Sequence, residues 1–227
     1  MDARKPGPDN PAMQHQRIAS AAAMLADPSR AAMVIALMDG RSRSAKKLAL
    51  DAGVTPQTAS AHLKKLVAAR ILVWQGSGRS KYFSIAGSDV AQAVEALSEL
   101  GADARGALPA AAREIRFARC CYDHLAGRLG VCVTERLMQP GDGILANLGI
   151  DVVALESSRR PLFRCCTDWT ERRPHIAGAL GAVLLRHYLE QRWLVPVEDS
   201  RKLIVTPRGR EMFARLLGVE DAIFATD

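Results

Sequence analysis

The sequence predicts a mainly α-helical protein carrying small β-hairpins, and three observations predict it. Aromatic residues make up only 5% of the chain, so the cores must rest on Leu, Val, Ile, Met and Ala, a composition that favours helices. Helical spacing of apolar residues holds as far as Arg70, where the period changes: ILVWQ and KYFSI flank the turn GSGRS and read as paired strands. The last third, PHIAGALGAVLLRHYLEQRWLVPVEDSRKLIVTPRGREMFARLL, reads as helix, strand, turn, strand, helix.

At 227 residues the chain has room for one large or two small domains. The longest strongly apolar run, Ile176 to Leu185, is too short to cross a bilayer. The opening MDARKPGPDNPAMQHQ lacks the apolar stretch of a signal peptide, so no membrane partner and a cytoplasmic location are expected. Five cysteines, four of them in adjacent pairs, do not form the framework of a secreted disulfide protein and read as reduced thiols.

Each element has a local cause. Residues 1–15, rich in Pro, Gly and polar side chains, are expected to form a disordered tail. A helix from Arg17 ends at Asp27, which caps the next one with Pro28 at its first position. That helix closes at Gly40. Ser44 caps a short helix that stops before Gly53. Thr55 then caps, and Pro56 opens, the helix PQTASAHLKKLVA. After the hairpin, DVAQAVEALSEL forms a helix to Gly101. The domains expected are 16–100, a linker at 101–112 and a second domain at 113–227.

Charge is unevenly spread. Nine Lys or Arg and one acid, Asp51, lie between Arg41 and Lys81, a net +8 against +7 for the whole chain. A basic island of this kind is the footprint of a polyanionic partner, because neutralising phosphates releases counterions. Within it, Thr55, Gln57, Thr58, Ser60 and His62 have the reach for base edges and nearby phosphates. Lys64, Lys65, Arg79, Lys81 and Tyr82 suit the backbone. Double-stranded DNA is the partner these residues fit.

Helix, helix, short helix, turn, helix, hairpin, helix is the order of a winged helix-turn-helix. LADPSRAAMVIALMDG, LALDAGVTPQTASAHLKKL and GSGRSKYFSI resemble the ArsR/SmtB family of bacterial transcriptional repressors over residues 17 to 100. The resemblance implies a homodimer that binds an operator and is released by an effector. The chain departs from the family's metal-sensing patterns. RSRSAKKLAL, before the recognition helix, has no cysteine, and DVAQAVEALSEL, after the wing, has Asp89 but no histidine.

The second half reads as α+β and winged-helix-like, beginning with a helix, REIRFARCCYDHLAGRLGVCVTERLM, in which Gly127 and Gly130 are candidate interruptions. On that helix Cys121 and His124 share a face. If they meet Cys166 and His175, the four form a thiolate–imidazole site for a soft metal or arsenite, not required for folding. A Cys121–Cys166 dithiol switch needs only two sulfurs, with Arg119 or Arg164 favouring the thiolate. Packing of these cysteines as small hydrophobes is the third reading. Trp169, among charged neighbours in CCTDWTERRPH, is a candidate wall for a small organic ligand or a buried residue beside a helix capped by Thr170. No phosphate loop, HExxH or nucleophile elbow occurs, and adjacent helical residues such as Asp123 and His124 do not face each other. No enzymatic activity is expected. A DNA binder whose second half serves only dimerisation is the alternative to an effector-responsive regulator.

Overall fold

The computed structural model describes residues 11–76, 81–101, 115–139, 143–157, 160–219 and 221–226. They divide into two compact units, Met1–Leu37 with Arg41–Ala86 and Met38–Gly40 with Gly87–Asp227.

In the first unit α1 (Pro11–Leu25) is followed by α2 (Pro28–Ala36), whose N-cap Asp27 accepts from the Arg30 amide. The Arg30 side chain turns back and donates to the carbonyls of Met24 and Ala23, satisfying the open end of α1. Residues 11–15 are helical, so the expected tail overlaps α1 there, and residues 1–10 lie outside the described residues. Strand β1 (Arg43–Ser44) leads into α3 (Ala45–Asp51), capped by Ser44, and α4 (Pro56–Ala68) is capped by Thr55. Between them Gly53 takes φ +63°, a left-handed turn that glycine enters without strain. Strands β2 (Leu72–Gln75) and β3 (Tyr82–Ile85) complete an antiparallel sheet in the order β1-β3-β2. Met33, Val34, Leu48, Ala59, Leu63, Leu66, Leu72 and Phe83 are buried as its core. Burying a leucine such as Leu63 or Leu66 contributes about 1.5–3 kcal/mol, which holds α4 by one stripe and leaves its opposite face to solvent.

The second unit begins with α5 (Ser88–Gly101). The boundary expected at residue 100 therefore falls before α5, because Glu95 on this helix is buried against Arg119 and Arg201 of the same unit. The expected linker, 101–112, lies outside the described residues apart from Gly101.

The helix expected over residues 113–138, with Gly127 and Gly130 as candidate interruptions, is a hairpin followed by a shorter helix that starts at Gly127. Strands β4 (Arg119–Cys121) and β5 (His124–Ala126) pair antiparallel and run into α6 (Gly127–Leu137). Two short helices follow, α7 (Ile144–Asn147) and α8 (Val152–Glu156). The same device then recurs: β6 (Arg164–Thr167) pairs with β7 (Pro174–Ala177), which runs into α9 (Gly178–Glu190). A third hairpin, β8 (Leu194–Pro196) with β9 (Leu203–Val205), leads to α10 (Pro207–Leu217) and a 3-10 turn, Asp221–Thr226. The core joins Leu129, Val133, Leu180 and Leu184 to Tyr188, Trp193 and Phe213, with the Tyr188 and Trp193 rings stacked at 5.3 Å. Among the described residues no single helix is long and apolar enough to cross a membrane.

Candidate functional site

The first candidate surface is built on α4 and the β2–β3 hairpin. Ala59, Leu63 and Leu66 anchor the inner side of α4, and Gln57, Thr58, Ser60, Lys64 and Lys65 stand exposed. Thr55 is exposed too, but its hydroxyl accepts from the Thr58 amide and lies 2.9 Å from the Thr58 hydroxyl. Ser60 Oγ donates to the Pro56 carbonyl and keeps its lone pairs outward. His62 is placed differently from its neighbours in sequence. Its side chain is 14% exposed, with Nε2 3.8 Å from Asp27 and Nδ1 3.5 Å from Arg30, so the structure corrects the assignment of His62 to the exposed face.

Of the hairpin cations, Lys81 lies with Nζ 4.5 Å above the Trp74 ring, and Tyr82 is 50% exposed. Arg79 lies outside the described residues. Between α4, the start of α3 and the hairpin is an open cleft of about 680 Å³, walled by Ser60, Lys46, Lys64, Lys81, Trp74 and Tyr82 among others. Lys46 and Trp74 were not among the site residues read from the sequence. Trp74 comes to this cleft on β2, paired with Phe83, and Lys46 comes from the first turn of α3. The basic island is also less uniform than its charge count implies. Arg43 is buried, with Nε 3.7 Å from Asp51, and Lys47 Nζ is 2.9 Å from the same carboxylate.

The second candidate site comes from the two hairpins of the larger unit. Cys121 and His124 are cross-strand partners in the first, Cys166 and His175 in the second. All four are buried, and their ligand atoms lie within 4.8 Å of one another. The imidazole rings are 5.1 Å apart, centroid to centroid. The close approach depends on missing side chains. A Cβ on Gly181 would stand 2.5 Å from the Ile176 carbonyl oxygen and 3.0 Å from His124 Cβ. Helical spacing of Cys121 and His124 was the wrong reason for pairing them, because they face each other across a hairpin.

The hairpins are two versions of one pattern, and the sequence carried it unread. RCCYD and RCCTD precede HLAGRLG and HIAGALG, and the structure superposes their roles. Gly127 and Gly178 take φ +82° and +84°, where an added Cβ would meet a carbonyl oxygen at 2.6 Å and 2.7 Å. The aspartate two residues after each cysteine turns to the histidine of its own hairpin. Asp123 Oδ1 is 3.1 Å from His124 Nδ1, and Asp168 Oδ2 is 3.5 Å from His175 Nδ1. Asp123 and His124 therefore do meet, since the chain turns there and is not helical. His124 Nε2 and both ring nitrogens of His175 are buried without a hydrogen-bond partner.

A buried charge network surrounds the cluster. Asp168 accepts from the Gly127 amide at 2.6 Å, from Thr170 and from the Glu171 amide, and lies 3.0 Å from Arg119. Thr170 thus serves an Asp168-capped turn, not a helix. Arg119 donates to Glu95 at 2.8 Å, and Arg201 donates to the other Glu95 oxygen at 2.9 Å. Two guanidinium groups and two carboxylates balance in a region water does not reach. Trp169 is half-buried with its ring over Arg119, 5.4 Å from the guanidinium carbon, so its face is already engaged.

This setting governs protonation. Burial disfavours the Asp168 carboxylate, but Arg119, Thr170 and the Gly127 amide outweigh it and hold Asp168 at about 2. Burial and the neighbouring His124 push His175 down to about 3, a neutral imidazole. Burial likewise disfavours the His124 imidazolium, while Cys121 and Asp123 favour it and lift His124 to about 9. Contact with the Cys166 thiol, together with burial, keeps the Cys121 thiol well above the ordinary range. Burial raises Cys120 to about 12, and its side chain packs in the core, so it is not part of the cluster. None of the five cysteines is in a disulfide.

Residues 25–73 match the family described as "Helix-turn-helix domain". An uncharacterized HTH-type transcriptional regulator of Bacillus subtilis, YdfF, is 38% identical over 221 residues, covering 89% of this chain and 98% of that protein. The chain belongs to the HTH-type transcriptional regulators. Among solved structures, the regulator is similar to the winged helix-turn-helix domain of Mb0332 from Mycobacterium bovis. That match has 24% identity and a TM-score of 0.38, covering 45% of this chain and 94% of that one. The cadmium sensor CMTR of Mycobacterium tuberculosis matches with 30% identity and a TM-score of 0.32, covering 40% of this chain and 94% of that one. The shared portions are short relative to this regulator, whose second unit extends well beyond them.

Proposed function

We propose that this regulator is a homodimeric repressor whose hold on operator DNA is weakened by an effector taken up at Cys121, His124, Cys166 and His175. One observation carries the reading: four buried soft-ligand side chains, from two hairpins distant in sequence, converge to within 4.8 Å of one another. Core packing explains buried cysteines. It does not explain two buried imidazoles whose Nε2 atoms lack partners, which is costly unless something binds there.

The DNA side of the proposal uses α4 in the major groove. Gln57, Thr58 and Ser60 face base edges, and Lys46, Lys64, Lys65 and Lys81 face phosphates. A second copy is the partner that the exposed apolar residues suit: Ile18 on α1 is 62% exposed, and Leu97 and Leu100 on α5 are 46% and 83% exposed. Val94, which helical spacing puts on the same side as Leu97, is buried in its own unit and does not contribute. Two-fold symmetry then sets the recognition helices on half-sites about one DNA turn apart.

An effector weakens DNA binding only if it prefers the non-binding conformation; a preference of about 1–3 kcal/mol gives about a 5–150-fold change in affinity. The test is operator affinity of the wild type and a Cys121→Ser/Cys166→Ser variant, each with reductant, zinc, arsenite and diamide. A loss of wild-type affinity under one treatment, absent in the variant, is the expected result. Wild-type affinity that ignores all of them refutes the sensing role.

A further inference from the structure

Resting on that reading of the cluster as the effector site, we infer that Cys121, His124, Cys166 and His175 form a closed tetrahedral site for one zinc-class divalent cation, two ligands coming from each copy of the duplicated hairpin. Zn²⁺, Cd²⁺ and the probe ion Co²⁺ belong to this class.

The donor set argues first. Two sulfurs and two imidazole nitrogens suit Zn²⁺ and ions like it. Bonds of about 2.3 Å to sulfur and about 2.0–2.1 Å to nitrogen place tetrahedral ligand atoms about 3.3–3.8 Å apart. The four ligand atoms already lie within 4.8 Å, so small side-chain rotations close the site.

Charge argues second. Binding releases to solvent the two thiol protons and the proton that makes His124 an imidazolium, and the two thiolates then balance the charge of a divalent ion. The nearby carboxylates are offset already, Asp168 by Arg119 and Asp123 by Arg160 at 2.6 Å. A monovalent ion would leave a buried net charge, which costs heavily away from water.

The surroundings argue third. Metal-bound histidines usually give their second ring nitrogen to a carboxylate, which fixes the ring. Here each copy of the pattern places its own aspartate: Asp123 hydrogen-bonds His124 Nδ1 at 3.1 Å, and Asp168 lies 3.5 Å from His175 Nδ1, within reach of a bond after a small ring rotation, with both Nε2 atoms open to the metal. These two aspartates are positioning residues. With four protein ligands and complete burial no coordination position is left for water or substrate, so the ion ties the two hairpins together and performs no chemistry.

The experiment uses the full chain, reduced, stripped with a chelator and titrated with Co²⁺. The expected result is one Co²⁺ per chain, the intense visible absorption of tetrahedral cobalt with a thiolate charge-transfer band, and displacement by Zn²⁺. X-ray absorption of the zinc form should return two sulfurs and two nitrogens. Asp123→Asn, at a partly exposed residue, should weaken zinc binding about 10–100-fold with the same donor set. Failure to bind Co²⁺ or Zn²⁺, an octahedral cobalt spectrum, or a different donor set overturns the inference. A two-sulfur, two-nitrogen site with operator affinity indifferent to metal would sustain this inference and overturn the sensing role. Operator release by arsenite or diamide without such a site would do the reverse.

Discussion

His124 and His175 lie 5.1 Å apart, ring to ring, each the cross-strand partner of a cysteine in a different hairpin and each beside an aspartate of its own hairpin. Their approach depends on Gly181. Gly181→Ala would drive a Cβ into the Ile176 carbonyl and against His124, and both are held by backbone packing. Overpacking of this kind costs about 1–3 kcal/mol or more. We expect a lower midpoint in urea denaturation together with loss of metal uptake by the reduced protein; wild-type values for both would show that the approach is not limiting.

Glu95 sets a second prediction. It is 1% exposed and shared by Arg119 and Arg201. Glu95→Ala leaves two buried guanidinium groups short of a partner, a loss of about 3–5 kcal/mol by analogy with broken buried pairs. Chemical denaturation of wild type and variant measures it.

The same residue gives a pH dependence. Burial disfavours the Glu95 carboxylate, but Arg201 and Arg119 outweigh it, and the pKa is held below the ordinary glutamate value of 4.5. A depressed carboxylate pKa contributes stability that is present above the unfolded value and lost as pH falls through the folded one. Stability should therefore drop below about pH 4.5, and Glu95→Gln should flatten that part of the profile. An equal acid slope in both proteins would assign the loss to other groups.

On the DNA side, Gln57→Ala should relax base preference by about 1–3 kcal/mol at the position it reads. Lys64→Ala and Lys65→Ala should weaken every duplex alike and reduce the salt slope by about 0.9 for each phosphate contact removed. Competition binding at several salt concentrations separates the two behaviours.

His62 provides the contrast. Lodged between Asp27 and Arg30, His62→Ala should lower the stability of the first unit and leave the salt slope as it is. A salt slope reduced like that of the lysine variants would return His62 to the DNA surface.

Much of the first unit was legible from residues alone, because its signals are local. Asp27, Ser44 and Thr55 cap the helices they precede in sequence, Pro28 and Pro56 sit in first turns, and the strand period of ILVWQ and KYFSI needs no distant contact. The face of α4 was legible to within one residue. His62 failed because its orientation depends on Arg30 and Asp27, which only the packing of α2 brings near.

In the second unit the sequence determined which thiols and imidazoles are present, and the tertiary structure decided how they meet. Local propensity reads the stretch around RCCYDHLAG as helix. The hairpin prevails because Gly127 at φ +82° lets the chain turn under the carbonyl of Arg116, and because strand pairing places Cys121 against His124. The repeat of RCC, Asp, His and AG-x-LG was present in the letters. What it meant was not, since two similar hairpins need not face one another. Their convergence rests on β5 lying against β7, on Gly181 admitting His124, and on Asp168 joining the two copies through the Gly127 amide. These are contacts between residues far apart in the chain, whose energies exist only once the fold has closed its loops.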